Sequence, residues 1–207
     1  MKKTILIKRT AHYYIQEPKN KVKSLLIVIH GYGQLARDFI NEFRTLEDSN
    51  TLVVAPEALS KFYNKERQPV ANWMTSHERL DEIKDYCYYL DDLFNELNSN
   101  YSFGKIGVLG FSQGTSTALR WATRQNNIAN LYLCSGSIPP ELQASDFNKH
   151  ATIIKFYYGN QDKLFKEIRA EEEVQKLKKL RLQSEVFPFV GRHEVPAICI
   201  QHLKEDL

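Results

Sequence analysis

Long apolar runs are missing from this chain of 207 residues. A membrane-spanning helix needs about 20 consecutive apolar residues, and the stretch behind Met1-Lys2-Lys3 offers only Ile5-Leu6-Ile7 before Lys8 and Arg9 interrupt it. Neither an export signal nor stable membrane insertion is expected. Charge of one sign is equally scarce, since 28 Lys and Arg stand interspersed with 25 Asp and Glu for a formal net charge of +3. That balance gives no electrostatic footprint for nucleic acid, so no nucleic-acid partner is expected. Cysteine is rare. Cys87, Cys134 and Cys199 are odd in number, widely spaced and flanked by apolar or aromatic residues, which reads as reduced core thiols of a cytoplasmic protein rather than bridges or metal ligands. No internal repeat or low-complexity tract is present. One domain over residues 1–207, burying roughly 70% of its unfolded surface, is the expected organisation.

What the chain has instead is short apolar runs alternating with helical periodicity. Ser24–Ile29, Leu52–Ala55, Ile106–Leu109, Leu131–Cys134 and Ile153–Tyr158 are rich in β-branched or aromatic residues and do not alternate with polar ones. Strands buried on both faces of a parallel sheet have this pattern. Between them, Leu80, Ile83, Cys87, Leu90, Phe94 and Leu97 recur at three- and four-residue steps and predict a helix over about 78–98. Leu164, Phe165, Ile168, Val174, Leu177 and Leu180 predict another, with Glu171-Glu172-Glu173 and Lys176, Lys178 and Lys179 on its solvated side. Helix-forming segments at about 35–48 and 113–126 complete the alternation. Thr4–Gln16, through Ile5, Ile7, Tyr13 and Ile15, reads as an antiparallel strand or hairpin at the sheet edge. The expected class is α/β, a doubly wound, mostly parallel sheet with an antiparallel N-terminal edge strand. Pro56–His77 lacks periodic signal, and a loop of that length is functional or disordered. Its Phe62, Tyr63, Trp73 and Met74 favour function.

Gly110-Phe111-Ser112-Gln113-Gly114 stands between a strand-like run, Lys105–Leu109, and a helix-like one. A serine at such a sharp corner is the nucleophile elbow of an α/β-hydrolase, and its strained backbone is tolerable only if the residues two before and two after lack bulk. By itself the pattern also fits an ordinary Gly/Ser-rich turn. A serine hydroxyl is a poor nucleophile without a positioned base and a group to orient that base. On this fold acid and base follow the nucleophile in chain order, on loops at the carboxyl ends of later strands. Ile153–Tyr158 ends in Gly159-Asn160-Gln161-Asp162, and the next strand-like run, Ser184–Phe189, is followed by Val190-Gly191-Arg192-His193. Asp162 and His193 are thus the expected acid and base. Asp146 is the rival acid, in a polar segment with His150, while His12 lies in the N-terminal strand, His77 in a loop and His202 on the C-terminal helix. Two backbone amides can face the oxygen that becomes negative during acyl transfer. One is that of Gln113 at the start of the helix, the other that of Tyr32 in His30-Gly31-Tyr32-Gly33 after the first parallel strand.

In these motifs the chain resembles the small carboxylesterase, lysophospholipase and acyl-protein thioesterase family of α/β-hydrolases. The matching positions are His30-Gly31-Tyr32-Gly33, Trp73, Gly110-Phe111-Ser112-Gln113-Gly114, Gly159 with Asp162, and His193, in order and approximate spacing over about residues 24–203. The resemblance implies a hydrolase without cofactor, metal or separate lid domain. It implies a triad of Ser112, Asp162 and His193, an oxyanion hole from the amides of Tyr32 and Gln113, and Trp73 beside the acyl pocket. The chain departs from the family at Arg192, where glycine usually precedes the histidine, at Lys163-Leu164-Phe165 after the acid, and at Tyr158. These departures touch the mouth of the site, leaving ester against thioester and acyl length open.

Tyr32, Phe62, Tyr63, Trp73, Leu164 and Phe165 near the mouth suggest a small-molecule ester or thioester with an acyl or aryl group, with Leu164 and Phe165 as substrate contacts. A serine peptidase or acyltransferase would use the same triad, and a binding module on this scaffold would lack a triad member. Oligomeric state is open between a monomer and a homodimer.

Overall fold

The computed structural model describes residues 1–147 and 152–207. In chain order the strands are β1 Tyr13–Gln16, β2 Ser24–Ile29, β3 Thr51–Pro56, β4 Ser60–Tyr63, β5 Pro69–Asn72, β6 Lys105–Phe111, β7 Asn130–Cys134, β8 Ile153–Gly159 and β9 Ser184–Phe189. The helices are α1 Ala36–Phe39, α2 Arg79–Asn100, α3 Gln113–Ala122, α4 Glu167–Lys179 and α5 Ala197–Asp206. Seven strands form one sheet in the order β1-β3-β2-β6-β7-β8-β9, and β4 and β5 form a separate hairpin. Among the described residues only β1 runs antiparallel within the large sheet, pairing Tyr13 with Pro56 and Gln16 with Val53. The doubly wound sheet with an antiparallel edge is therefore as expected.

The continuous apolar strands follow from burial on both faces. In β2, Leu25, Ile27 and Ile29 pack into one core with Tyr86 and Leu90 of α2, Leu119 of α3 and Leu177 of α4. The intervening Leu26 and Val28 face the other core, with Phe39, Phe43, Cys199 and Leu203. Period-2 alternation across a sheet covered by helices on both sides needs apolar residues at every position. The chain leaves β2 for β3 on one side, while β6 continues to β7 on the other. The crevice at this switch point lies at the carboxyl ends of β2 and β6, where open α/β sheets bind their ligands.

Several elements differ from the sequence expectation. The N-terminal strand begins only at Tyr13, because its partner β3 ends at Pro56 and residues farther upstream meet no ladder. Ile5 and Ile7 are exposed. The expected helix at 35–48 is one α-helical turn followed by a 3₁₀ segment, Ile40–Leu46, whose buried Ile40, Phe43 and Leu46 recur at the three-residue spacing that suits that winding. The stretch Pro56–His77 holds the β4–β5 hairpin. Leu164 and Phe165 precede α4 rather than belonging to it, and Ile168 and Leu80 face solvent. Glu173, expected on the solvated side of α4, is 1% exposed. Its Oε2 accepts the Ile138 amide at 2.9 Å and its Oε1 the Lys176 ammonium at 2.9 Å, so a buried backbone donor dictates its direction.

Candidate active site

β6 turns into α3 through Ser112, whose φ of 53° and ψ of −117° lie outside the helical and extended regions. The Ser112 amide donates to Cys134 O of β7 at 2.9 Å, and Thr115 Oγ1 donates to Gly110 O at 3.0 Å, fixing the corner from both sides. A Cβ on Gly110 would stand 2.6 Å from Gly114 O, and one on Gly114 would stand 2.6 Å from His30 O and closer still to Ile29 O. The two glycines thus let α3 cross over its own strand and pack against the end of β2. Gly114→Ala is expected to cost at least about 3 kcal/mol, because the atoms it strikes are backbone carbonyls that cannot rotate away. A urea midpoint unchanged from the parent protein would contradict this contact.

The candidate acid and base are brought together by their own loops. Asn160 N donates to Phe189 O at 3.0 Å and Gln161 N to Gly191 O at 2.9 Å, tying the loop after β8 to the loop after β9. Gly159 permits this closeness, since a Cβ there would lie 2.5 Å from Gly191 O. Asp162, with a fully buried side chain, accepts the amides of Leu164 and Phe165 on Oδ1, each at 2.8 Å. Its Oδ2 lies 2.7 Å from His193 Nδ1. The His193 ring packs on Phe111, centroids 4.8 Å apart, and lines the same cleft as Ser112. The rival Asp146, in the 3₁₀ turn Ala144–Phe147, accepts the amide of Gln143 just ahead of that turn and does not line the cleft. His150 lies outside the described residues.

The turn after β2 forms the opposite wall. Gly31 N donates to Gln34 Oε1 at 2.7 Å and Gly33 N to Ala71 O at 2.9 Å. The Tyr32 amide makes no hydrogen bond among the described residues, and the Gln113 amide is the first of α3, ahead of any intrahelical acceptor. The Tyr32 ring rests on Phe62 of β4, centroids 5.1 Å apart, so the hairpin buttresses the turn. His30 is fully buried behind it. Its Nε2 accepts the Ala58 amide at 3.1 Å, which puts the proton on Nδ1 facing Gly31 O at 2.7 Å.

Burial, slightly offset by the Gly31 carbonyl, pushes the His30 pKa from about 6.5 down to about 4. An unfolded imidazole takes up its proton below about 6.5 whereas the folded one resists until about 4. Stability is therefore lost as pH falls through that window, by roughly 3 kcal/mol from this residue. Urea unfolding at pH 7 and pH 4 of the parent and of His30→Asn measures it, the variant being expected to lose less on acidification. Equal losses would remove His30 as the cause.

Trp73 is placed differently from the family-based expectation. It is 2% exposed and absent from the cleft lining, with its indole N–H donating to His30 O at 2.9 Å and its ring against His30 and Tyr86. It props the turn from beneath. Leu164 and Phe165 do line the cleft, the first 79% exposed at its rim and the second buried. The cleft measures about 390 Å³. Sequence reading missed Gln34, which occupies the Gly31 amide, and Ser135-Gly136-Ser137, which line the cleft beyond β7. A run of small residues at the carboxyl end of a parallel strand beside the elbow was the available signal. It also missed the Gln113 side chain, which accepts the Trp73 amide at 3.0 Å and donates to Met74 O at 2.8 Å. Among the described residues no three His, Cys, Asp or Glu side chains converge as a metal site. No helix there is long and apolar enough to cross a membrane.

A parallel sheet with an antiparallel edge, helices on both faces and a serine at the β6–α3 corner define the α/β-hydrolase class. Residues 10–207 match the phospholipase/carboxylesterase family, and the chain belongs to it. Solved structures agree in fold. Esterase PE8 superposes with a TM-score of 0.72 at 21% identity, over 96% of this chain and 98% of its own. Zea mays acyl-protein thioesterase 2 gives 0.74 at 17% identity, over 95% and 97%. The Bacillus cereus carboxylesterase gives 0.69 at 17%, over 94% and 92%. No curated protein matches the chain in sequence.

Proposed function

We propose that this protein is a serine hydrolase that cleaves carboxylic esters or thioesters through an acyl-enzyme, with Ser112 as nucleophile, His193 as base and Asp162 as the acid that orients it. The observation carrying this reading is the 2.7 Å contact between Asp162 Oδ2 and His193 Nδ1 in the cleft that Ser112 also lines. With Nδ1 held by the carboxylate, Nε2 is the ring nitrogen left to take the Ser112 proton and later return it to the leaving group. The amides of Tyr32 and Gln113 hold the tetrahedral oxyanion, a contribution of roughly 3–4 kcal/mol for each donor. Water then repeats the cycle on the acyl-enzyme.

A cleft of about 390 Å³ suits an acyl or aryl group of modest size, near the lower end of the ~300–1,000 Å³ common for ligand sites. Phe165 and Leu164 supply its apolar wall. The three free, buried cysteines support a reducing, cytoplasmic setting. A fluorophosphonate probe tests the assignment directly. It should label the parent protein at Ser112, leave Ser112→Ala unmodified and label His193→Ala far more slowly. Labelling that is undiminished in both variants would refute it.

A further inference from the structure

Gln34, in the turn after β2, lines two cavities. One is the cleft shared by Ser112 and His193. The other is a groove of about 550 Å³, walled by Asn64 and Gln68 of the loop joining β4 to β5 and by Arg37, Asp38, Phe39 and Glu42 of α1 and the 3₁₀ segment behind it. The groove opens toward one face of the sheet and the Phe165 end of the cleft toward the other. Phe39 and Phe111 share a core with Phe189 and Val195, and His193 packs on Phe111, itself stacked on Phe39 with centroids 6.0 Å apart. Phe165 belongs with Ile138 to the core on the opposite face. Loss of solvent and then the carboxylate of Glu194, the residue after His193, raise the Glu42 pKa. The groove therefore lies on the His193 side of Ser112.

That is the side from which an alcohol departs. The base that takes the nucleophile's proton returns it to the departing oxygen, so the leaving group stands beside the imidazole. Gln34 Oε1 accepts the Gly31 amide at 2.7 Å, and because a backbone N–H can only donate, the oxygen must be the atom that faces it. The Gln34 NH₂ group is left without an acceptor among the described residues. Its main chain is pinned by Ala71, whose amide donates to Gln34 O at 3.1 Å. Gln68 is arranged alike, its Oε1 accepting Asn64 Nδ2 at 3.3 Å and its NH₂ group having no acceptor among the described residues. Asp38 and Glu42 supply acceptors. Arg37 Nε donates to Asp38 Oδ1 at 3.2 Å, whereas Glu42 makes no ion pair among the described residues. The resulting negative balance disfavours a phosphate or carboxylate on the leaving group. Phe39, 2% exposed, offers no open ring face to a quaternary ammonium. Neighbouring donors and acceptors suit hydroxyls, each of which does both.

We propose that this groove is a leaving-group subsite for a neutral, hydroxyl-rich alcohol of sugar size, held by the NH₂ groups of Gln34 and Gln68. The proposal rests on the serine-hydrolase reading and names the substrate class of that site, an acylated sugar or polyol whose acyl group occupies the cleft. Ser112 Oγ bonds to the acyl carbon, the bond from that carbon to the sugar oxygen breaks, and that oxygen takes the proton from His193 Nε2 and leaves through the groove. The groove, at about 550 Å³ against about 390 Å³ for the cleft, has room for a leaving group larger than the acyl group.

Acetates that differ only in the alcohol test it: ethyl acetate, glycerol monoacetate, monoacetylated glucose and acetylated glycerol phosphate. The parent's kcat/KM for monoacetylated glucose should exceed that for ethyl acetate by about tenfold or more, with glycerol monoacetate between them and the phosphate ester below it. Gln34→Glu keeps an oxygen on the Gly31 amide and removes the donor, and Gln68→Ala removes the second donor without touching the turn after β2. Each should lower the ratio of sugar to ethyl ester about fivefold, a ratio that cancels any loss common to both substrates. Glu42→Lys should raise the phosphate ester relative to the sugar ester about tenfold. Equal kcat/KM across the four acetates, a preference for the ethyl or phosphate ester, or a sugar preference that survives either glutamine substitution would overturn the subsite while leaving the hydrolase reading intact. A parent that hydrolyses none of the four and takes no fluorophosphonate label would overturn the hydrolase reading, and the subsite with it.

Discussion

Ser112→Ala is expected to lower kcat/KM for a p-nitrophenyl ester by about 10³- to 10⁶-fold, the range seen when one member of a cooperating triad is lost. Thermal stability should barely move, and the structure explains why. The Ser112 hydroxyl makes no hydrogen bond among the described residues, so its removal strands no buried partner. The backbone bond from Ser112 N to Cys134 O is untouched. Alanine inherits the same strained φ of 53°, neither relieving nor adding to the cost of the corner. Activity and stability measured side by side on one preparation give the check. An alanine variant with near-parent turnover and an unchanged melting curve would leave Ser112 as a structural corner residue and sink the mechanism.

The candidate nucleophile is legible in the sequence for a physical reason. Steric exclusion at Gly110 and Gly114 is local, so it writes itself into five consecutive residues. The strands were readable for a related reason, because two-sided burial leaves no polar position in runs such as Ser24–Ile29. Asp162 and His193 stand out as the candidate acid and base through chain order, which the fold imposes on loops at successive strand ends. What stayed hidden depends on distant partners. Glu173 lies in an acidic triplet that looks solvated, and only the Ile138 amide 35 residues earlier accounts for its burial. Trp73 could have faced the cleft or the core, and the choice was made by His30 O accepting its indole proton. The N-terminal strand was overread because apolar alternation at Ile5 and Ile7 does not reveal that β3 has already ended opposite Tyr13. The hairpin was underread because four-residue strands carry too little periodicity to stand out.

The hairpin and Trp73 nevertheless act on the candidate site together. β5 fixes the turn after β2 through Ala71, β4 supports Tyr32 through Phe62, and Trp73 links His30 to the Gln113 side chain. Both proposed oxyanion amides are therefore positioned by a segment that sequence alone described only as an aromatic loop. Donors held this way need little reorganisation when charge develops.

Asp162→Asn is expected to have the second large effect, about 10³- to 10⁴-fold in kcat, with the fold retained. Asp162 accepts three hydrogen bonds, two from the amides of Leu164 and Phe165 on Oδ1 and one at Oδ2 from His193 Nδ1. An asparagine can keep its single carbonyl oxygen on the two amides, which cannot turn away, and so must point its NH₂ group at His193. Two donors cannot face each other, so Nδ1 must give up its proton and present a lone pair. The ring proton then moves to Nε2, the nitrogen that should accept from Ser112, and the base is lost although every atom stays in place. Asp162→Ala separates this from simple destabilisation. It strands two buried amide donors, at about 1–3 kcal/mol each, and should lower stability as well as activity. Kinetics and urea unfolding on both variants distinguish the roles. If Asp162→Asn kept near-parent kcat, the carboxylate would be only a cap for the loop at Leu164 and Phe165, and His193 would need another orienting group.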